Sequence, residues 1–151
     1  MGGKQSWLRK PVLYQIATIT AIRDRPDMKK KVLLVEDDES LALALKIRLE
    51  AMGYNLIAAT TVATAMSMII TRKPEISLID INLPDGSGFS LAKQIRNNPN
   101  AQNIPVIFIS ANSSSEYKEK ATFYSSAPLL EKPFRATRLI EFLEGSHATA
   151  L

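Results

Sequence analysis

Hydrophobic and polar positions follow two alternating periods from residue 31 onward. Short apolar runs rich in β-branched residues are typical of strands buried on both faces. Between them, apolar residues recur every three or four positions, as in amphipathic helices. The runs predict five strands, at 32–35, 55–59, 76–79, 105–109 and 129–130. The helical spacing predicts five helices, over 41–52, 61–73, about 89–97, about 113–124, and one through 139–143 that ends near Gly145.

The regular alternation of strands and helices predicts the fold class. Strands linked by helices form a parallel sheet covered on both faces, and right-handed crossovers make it a doubly wound α/β domain. In such sheets the ligand site lies beyond the carboxyl ends of the strands. We therefore expect the functional residues directly after the predicted strands.

The composition agrees with one globular domain and excludes several kinds of chemistry. The 151 residues are 46% hydrophobic and 23% charged, which is near the globular average. The chain has no cysteine and one histidine, His147. Disulfides, thiol catalysis, cysteine-ligated zinc and histidine-based triads are therefore excluded. The lack of cysteine is in keeping with a cytoplasmic location.

The positive charge is concentrated at the start of the chain. Residues 1–31, the leader, contain eight Lys or Arg and two acidic residues. The other 120 residues contain eleven Lys or Arg and thirteen acidic residues, so the net charge of +4 comes from the leader. We divide the chain into a basic extension at 1–30, a domain at 31–145 and a tail at 146–151. No second nucleic-acid recognition element accompanies the basic leader, so direct DNA binding is not expected.

The leader contains one segment with helical spacing. An amphipathic helix over 11–24 is predicted, with Pro11 in its first turn and Pro26 beyond its end. A frayed extension or a linker remnant of a larger chain are the alternatives. The uncharged stretch at 11–22 is about half a membrane span, and no clear cleavage site follows it. Neither a membrane anchor nor a signal peptide is expected.

Chemically useful side chains follow four of the predicted strands. Glu36 and Asp37 follow the first, Asp80 the third, Ser110 the fourth and Lys132 the fifth. Converging carboxylates repel one another unless a cation neutralises them, and hard oxygen ligands suit Mg²⁺. A carboxylate beside Mg²⁺, a lysine and a hydroxyl suits phosphoryl transfer onto aspartate. Each residue alone also fits an ordinary helix cap, loop or surface position, so the inference depends on their shared location.

Four motifs in this order resemble those of the receiver domain of two-component response regulators. They are KVLLVEDD at 31–38, LIDINLPDGSG at 78–88, VIFISA at 106–111 and EKPF at 131–134. The resemblance covers about three quarters of the chain. It implies a flavodoxin-like fold with strand order 2-1-3-4-5.

The resemblance also implies a role for each matching residue. Asp80 would be the phosphoryl acceptor, and Lys132 would contact the phosphoryl oxygens. Asp37 and Asp80 would bind Mg²⁺ directly, Glu36 would bind it through a water molecule, and the backbone carbonyl of Asn82 would be a further ligand. The cofactor expected from the resemblance is therefore Mg²⁺.

Other positions show what else the family pattern implies and where the chain departs from it. The hydroxyl of Ser110 would swing toward the new phosphate, Asp38 would cap a helix, and the Lys132–Pro133 bond would be cis. Leu129 stands where the family usually has Tyr or Phe. The coupled movement of that ring is therefore not implied, and the domain either signals differently after the fourth strand or acts as a phosphate relay or sink.

The leading hypothesis is a receiver domain that takes a phosphoryl group from a histidine kinase or phosphotransfer protein and then changes its binding to an unknown downstream protein. The alternatives are a phosphate-independent interaction module of the same fold, and a receiver excised from a larger protein such as a hybrid histidine kinase. A haloacid-dehalogenase-type phosphatase would need an aspartate where Asn82 stands. No enzyme activity is expected beyond self-catalysed phosphorylation and dephosphorylation.

The lifetime of the phosphate and the oligomeric state stay open at this stage, and no DNA-binding output module is expected. Asn82 and Asn112 flank the acceptor and hydroxyl positions, so we expect them to tune the lifetime of the phosphate in a direction the sequence does not give. Too few residues follow the last predicted helix for a DNA-binding module. The oligomeric state is open between a monomer and a homodimer.

Overall fold

The predicted apolar runs form one parallel sheet. The strands of the computed structural model are β1 (Lys30–Val35), β2 (Tyr54–Ala59), β3 (Ile76–Asp80), β4 (Asn82–Leu83), β5 (Gly86–Ser87), β6 (Val106–Ser110) and β7 (Leu130–Glu131). Five of them pair in parallel in the order β2-β1-β3-β6-β7. The short β4 and β5 form a separate antiparallel hairpin. The strand order is therefore the expected 2-1-3-4-5, and the predicted fold class is confirmed.

The structure describes residues 30–125 and 127–149, with the backbone alone for 146–149. The basic extension up to residue 29, with the helix predicted over 11–24, lies outside the described residues. So do the last two residues of the predicted tail, 150–151.

Helices cover both faces of the sheet. They are α1 (Glu39–Ala51), α2 (Val62–Arg72), α3 (Gly88–Asn97), α4 (Ser115–Ala121) and α5 (Ala136–Thr149). Leu33 and Val35 of β1 belong to the core beneath α2, α3 and α4, whereas Val32 and Leu34 belong to the core beneath α1 and α5. Because successive strand residues point to opposite faces, both faces need apolar side chains. No helix in this part of the chain is long and apolar enough to cross a bilayer.

Local sequence signals determine several helix ends. Asp38 caps α1, because its carboxylate accepts hydrogen bonds from the N–H groups of Ser40 and Leu41 at 3.0 and 3.1 Å. Gly53 follows the other end of α1 with a φ of 93°, the left-handed conformation in which glycine ends helices. Ser114 caps α4. The capping role expected for Asp38 is confirmed.

Two predicted helix ends are wrong. The helix α4 ends at Ala121 rather than near Tyr124, because the N–H groups of residues 122–124 bond to carbonyls three positions back and the chain leaves α-helical geometry. The helix α5 continues through Thr149 instead of ending near Gly145. Among the described residues only Gly53 and Gly86 are glycines with positive φ, so Gly145 does not adopt the conformation that ends a helix.

Candidate functional site

Three carboxylates meet at the carboxyl edge of the sheet. The parallel pairing of β1 and β3 sets Val35 beside Ile79, so the residues that follow each strand emerge at the same edge. Carboxylate oxygens of Glu36, Asp37 and Asp80 all lie within 4.8 Å of one another. Glu36 and Asp80 are buried, whereas Asp37 is exposed. One cation could therefore contact all three and remain open to solvent on the side of Asp37.

Lys132 reaches the same edge from the segment after β7. Its Nζ lies 2.6 Å from Oε2 of Glu36 and 2.8 Å from Oδ2 of Asp80. Its backbone N–H donates to the carbonyl of Ser110 at 2.9 Å, which ties it to the end of β6. The Lys132–Pro133 peptide bond is cis, as the resemblance implies. The Lys132 ammonium thus bridges the two buried carboxylates.

Burial and charge shift two pKa values at this edge. Burial raises the pKa of the Glu36 carboxyl and the nearby Asp80 carboxylate adds to this, while hydrogen bonds from Lys132 and from the Asp38 N–H oppose it. Burial alone would lower the pKa of Lys132, but its hydrogen bonds to Asp80 and Glu36 outweigh burial and raise it. The site holds three carboxylates, and the one ammonium, that of Lys132, lies between the two buried ones, Glu36 and Asp80. The carboxyl edge of the sheet therefore keeps an excess of negative charge.

The chemistry of these donors fits Mg²⁺. Carboxylate oxygens are hard ligands, and Mg²⁺ usually takes one or two carboxylates and keeps several waters. The exposed side of Asp37 leaves room for those waters. A divalent cation would also balance the excess negative charge that Lys132 leaves. Glu36, Asp37 and Asp80 could therefore hold this ion.

Ser110 lies beside the cluster without bonding to it. It is fully buried at the end of β6, and the β3–β6 register places Asp80 opposite its neighbour Ile109. Its hydroxyl oxygen accepts a hydrogen bond from the N–H of Asn112 at 3.0 Å. Within the described part of the chain, none of its hydrogen bonds reaches a carboxylate of the site. The hydroxyl thus lies one residue beyond the partner of Asp80 in the sheet and is bonded to the following loop.

The segment after Asp80 folds back on the site as the β4–β5 hairpin. The N–H of Asn82 donates to Oδ1 of Asp80 at 3.0 Å, and the N–H of Gly88 donates to the carbonyl of Ile81 at 2.7 Å. A Cβ on Gly88 would lie 2.5 Å from the carbonyl oxygen of Asp80. The second glycine of the LPDGSG motif is therefore required by the close packing of α3 on Asp80.

Sequence reasoning missed the contact made by Asp85. Its Oδ1 accepts from the N–H of Val62 at 2.8 Å and its Oδ2 from the N–H of Ala63 at 3.2 Å. In the sequence, Asp85 stands only as one residue of the LPDGSG motif. The residues it contacts are 22 and 23 positions away, and no local pattern links them.

Leu129, which stands where the usual pattern has an aromatic residue, is buried in the core beneath α2, α3 and α4, and this core also contains aromatic side chains. The ring centroids of Phe89 and Phe108 are 5.0 Å apart, and those of Phe89 and Tyr117 are 5.6 Å apart with the rings edge to face. Tyr124 lies 6.4 Å from both phenylalanines. This face of the core is therefore aromatic although position 129 is aliphatic.

Known proteins are similar to most of this chain, and several of them are longer than the part that matches. The transcriptional regulatory protein YxdJ of Bacillus subtilis is 34% identical over 104 residues, which are 69% of this chain and 44% of the relative. The polar-differentiation response regulator DivK of Brucella anthropi is 28% identical over 117 residues, 78% of this chain and 95% of the relative. The chain spans about half the length of the first transcriptional regulators it matches.

The fold and the family pattern match in the same region. The receiver domain of the Francisella response regulator 1452 has a TM-score of 0.73 at 31% identity, covering 82% of this chain and 100% of that one. The family pattern described as "Response regulator receiver domain" matches residues 32–144. These matches confirm the resemblance indicated by the four motifs. The chain therefore belongs to the response regulator receiver domain family.

Proposed function

We propose that this chain accepts a phosphoryl group on Asp80 from a phosphohistidine of a histidine kinase or phosphotransfer protein, and that this changes its binding to a downstream protein. One observation supports this most directly. The carboxylate of Asp80 is buried at the strand edge, held by Lys132 on one oxygen and by the Asn82 N–H on the other. A nucleophile fixed in this way is oriented for attack.

The proposed step is a displacement at phosphorus. An oxygen of Asp80 forms a bond to phosphorus, the bond from phosphorus to the donor nitrogen breaks, and the electron pair stays on the donor's imidazole. Lys132 already contacts this carboxylate, so its ammonium follows the charge onto the phosphoryl oxygens. Ser110 would turn its hydroxyl from the loop toward the same oxygens.

Mg²⁺ is the cofactor that the proposed function requires. Asp37, Asp80 and the backbone carbonyl of Asn82 would hold it, with Glu36 bound through a water molecule. When bound, it would neutralise charge on the transferring group. Beyond self-catalysed phosphorylation and dephosphorylation we assign no enzyme activity, and a cytoplasmic location stays a prediction.

A groove beside Lys132 offers a surface for the phosphoryl donor. It has a volume of about 520 Å³ and is lined by Leu41 and Leu45 of α1 together with Phe134, which lies just before α5. On the outer side of α1, the side chains of Leu43 and Ile47 are about 60% exposed. Apolar side chains beside Lys132, which contacts Asp80, favour a protein donor, which must bring its histidine to Asp80.

The proposal is tested by incubation with acetyl phosphate or beryllofluoride and Mg²⁺, followed by mass spectrometry of the intact protein. We expect one adduct on the wild type and none on Asp80→Asn. The matched control is Asp38→Asn, because asparagine caps helices as well as aspartate does and Asp38 lies next to the site. That variant should accept the group normally. No adduct on the wild type, or an adduct that persists in Asp80→Asn, would overturn the proposal.

One observation favours a second candidate, a phosphate-independent binding module. Leu129 removes the usual switch aromatic and is packed in the core. Partner affinity separates the two candidates. Equal affinities for the wild type and Asp80→Asn, with and without a phosphodonor, would favour constitutive binding.

A further inference from the structure

We propose that Asp85 is a positioning residue for the acceptor, because it fixes the β4–β5 hairpin to α2 and so holds Asn82 beside Asp80. This inference rests on the proposed function, in which Asp80 is the acceptor. It concerns a residue outside the carboxylate cluster and outside the expected metal ligands.

The first step is the anchor itself. The first amides of a helix have no partners within the helix, and their positive end favours a carboxylate. Asp85 binds two of these amides, Val62 N–H at 2.8 Å and Ala63 N–H at 3.2 Å, with one carboxylate oxygen each. The hydrogen bond from Val62, with a smaller contribution from Ala63, lowers the pKa of Asp85. The carboxylate is therefore charged and bidentate at neutral pH.

The second step is the hairpin that joins this anchor to the acceptor. Asp85 lies in the two-residue turn, and only two residue pairs, Asn82 with Ser87 and Leu83 with Gly86, form the ladder. So short a hairpin has little stability of its own. Its tip is held by Asp85, and at its base the Asn82 N–H donates to Oδ1 of Asp80. Loss of the anchor at the tip should therefore loosen the contact at the base.

The role of Asp85 differs from ordinary helix capping, because another residue caps α2. The helix α2 has its own N-cap, Thr61, whose hydroxyl oxygen accepts from the N–H of Thr64 at 3.1 Å. Thr61 does not belong to the hairpin. Thr61→Ala and Asp85→Ala thus both weaken the start of α2, but only Asp85→Ala also releases the hairpin. The two variants form a matched pair.

The experiment measures the hairpin and the site separately. Amide hydrogen exchange of Asn82 and Gly88 in Mg²⁺-free buffer reports the hairpin, and titration with Mg²⁺ followed by NMR reports the site. We expect Asp85→Ala to speed exchange and to weaken Mg²⁺ binding roughly three- to tenfold, below the 10- to 100-fold typical of groups bonded directly to ligands. Thr61→Ala should leave both unchanged, and Asp85→Asn, which keeps an acceptor oxygen, should lie between.

Phosphorylation by acetyl phosphate adds a second readout. We expect Asp85→Ala to be phosphorylated slowly at limiting Mg²⁺ and at nearly the rate of the wild type at saturating Mg²⁺. A higher Mg²⁺ concentration fills the weakened site and so restores the rate. If Asp85→Ala matches Thr61→Ala in both exchange and Mg²⁺ affinity, the inference is overturned. Failure of the proposed function is distinguishable, because the wild type itself would then form no adduct.

Discussion

Buried polar side chains at the two ends of the sheet have different kinds of bonding partners. In the described part of the chain these are Glu36, Ser77, Asp80 and Ser110. Ser77 lies near the amino end of β3, and its hydroxyl donates a hydrogen bond to the carbonyl of Pro105 at 3.1 Å. Both groups are neutral, so this bond needs no counter-charge. At the carboxyl end, Glu36 and Asp80 share one ammonium. Packing alone does not require such crowding, which is typical of functional sites.

The largest expected effect is the loss of the ammonium at the carboxyl end. Lys132→Met removes the cation that contacts Asp80 and Glu36, so charge on the transferring group loses a fixed partner. We expect the rate of phosphorylation by acetyl phosphate to fall by about 100-fold or more, measured by the rate of adduct formation.

A lysine outside the site provides the control for this variant. Lys118 pairs with Glu131 at 3.2 Å, and both side chains are about half exposed, so the pair contributes little. Lys118→Met should react at the rate of the wild type. An equal loss in both variants would mean that general charge, and not the position of Lys132, sets the rate.

The next effect concerns the close packing of α3 on the end of β3. In Gly88→Ala the new methyl group would lie 2.5 Å from the carbonyl oxygen of Asp80, so the backbone must shift. We expect a loss of about 1–3 kcal/mol in the free energy of unfolding, measured with urea. Gly145→Ala is the contrasting variant, because a Cβ there meets no atom within 4 Å, and alanine should gain roughly 0.5–1 kcal/mol in a helix.

Neutral substitutions at the two ends should change stability with opposite signs. Burial raises the pKa of Glu36, which means that folding disfavours its charged form. In Mg²⁺-free buffer at neutral pH, Glu36→Gln should therefore raise the free energy of unfolding by roughly 0.5–2 kcal/mol. Ser77→Ala should lower it by about 1 kcal/mol through loss of its hydrogen bond. If both variants destabilise, folding does not disfavour the charged form of Glu36 enough to outweigh its bond to Lys132.

The smallest expected effect is that of removing the leader. The residues proposed for the site lie between Glu36 and Lys132. Deletion of residues 1–28 should leave phosphorylation and Mg²⁺ affinity unchanged, as measured by the same adduct and titration assays. A weaker Mg²⁺ affinity in the truncated chain would show that residues 1–28 contribute to the site at the carboxyl end of the sheet.

The sequence predicts well what depends on local pattern and on general rules of sheet topology. The apolar run at 32–35 is buried on both faces because both faces are covered, and α1 ends at Ala51, one residue from the predicted end. Glu36 and Asp80 could be placed together from the sequence because parallel strands bring their carboxyl ends to one edge.

Contacts between distant segments could not be predicted in this way. The bonds from Asp85 to the start of α2 depend on how the hairpin folds over the sheet. The early end of α4 has a similar origin, since the guanidinium of Arg96 donates to the carbonyl of Tyr124 at 2.7 Å and holds that turn. Gly145 illustrates a different limit, because a glycine permits a helix to end but does not force it to end.

The contact at Gly88 has a mechanical consequence. The peptide of Asp80 and the first residue of α3 leave no space for even a methyl group between them, so neither can shift alone. The next residue, Phe89, touches the ring of Tyr117 on α4 and lies 5.0 Å below the ammonium of Lys120. Directly packed atoms therefore connect the backbone of Asp80 with the outer surface of α4, although position 129 carries no aromatic ring.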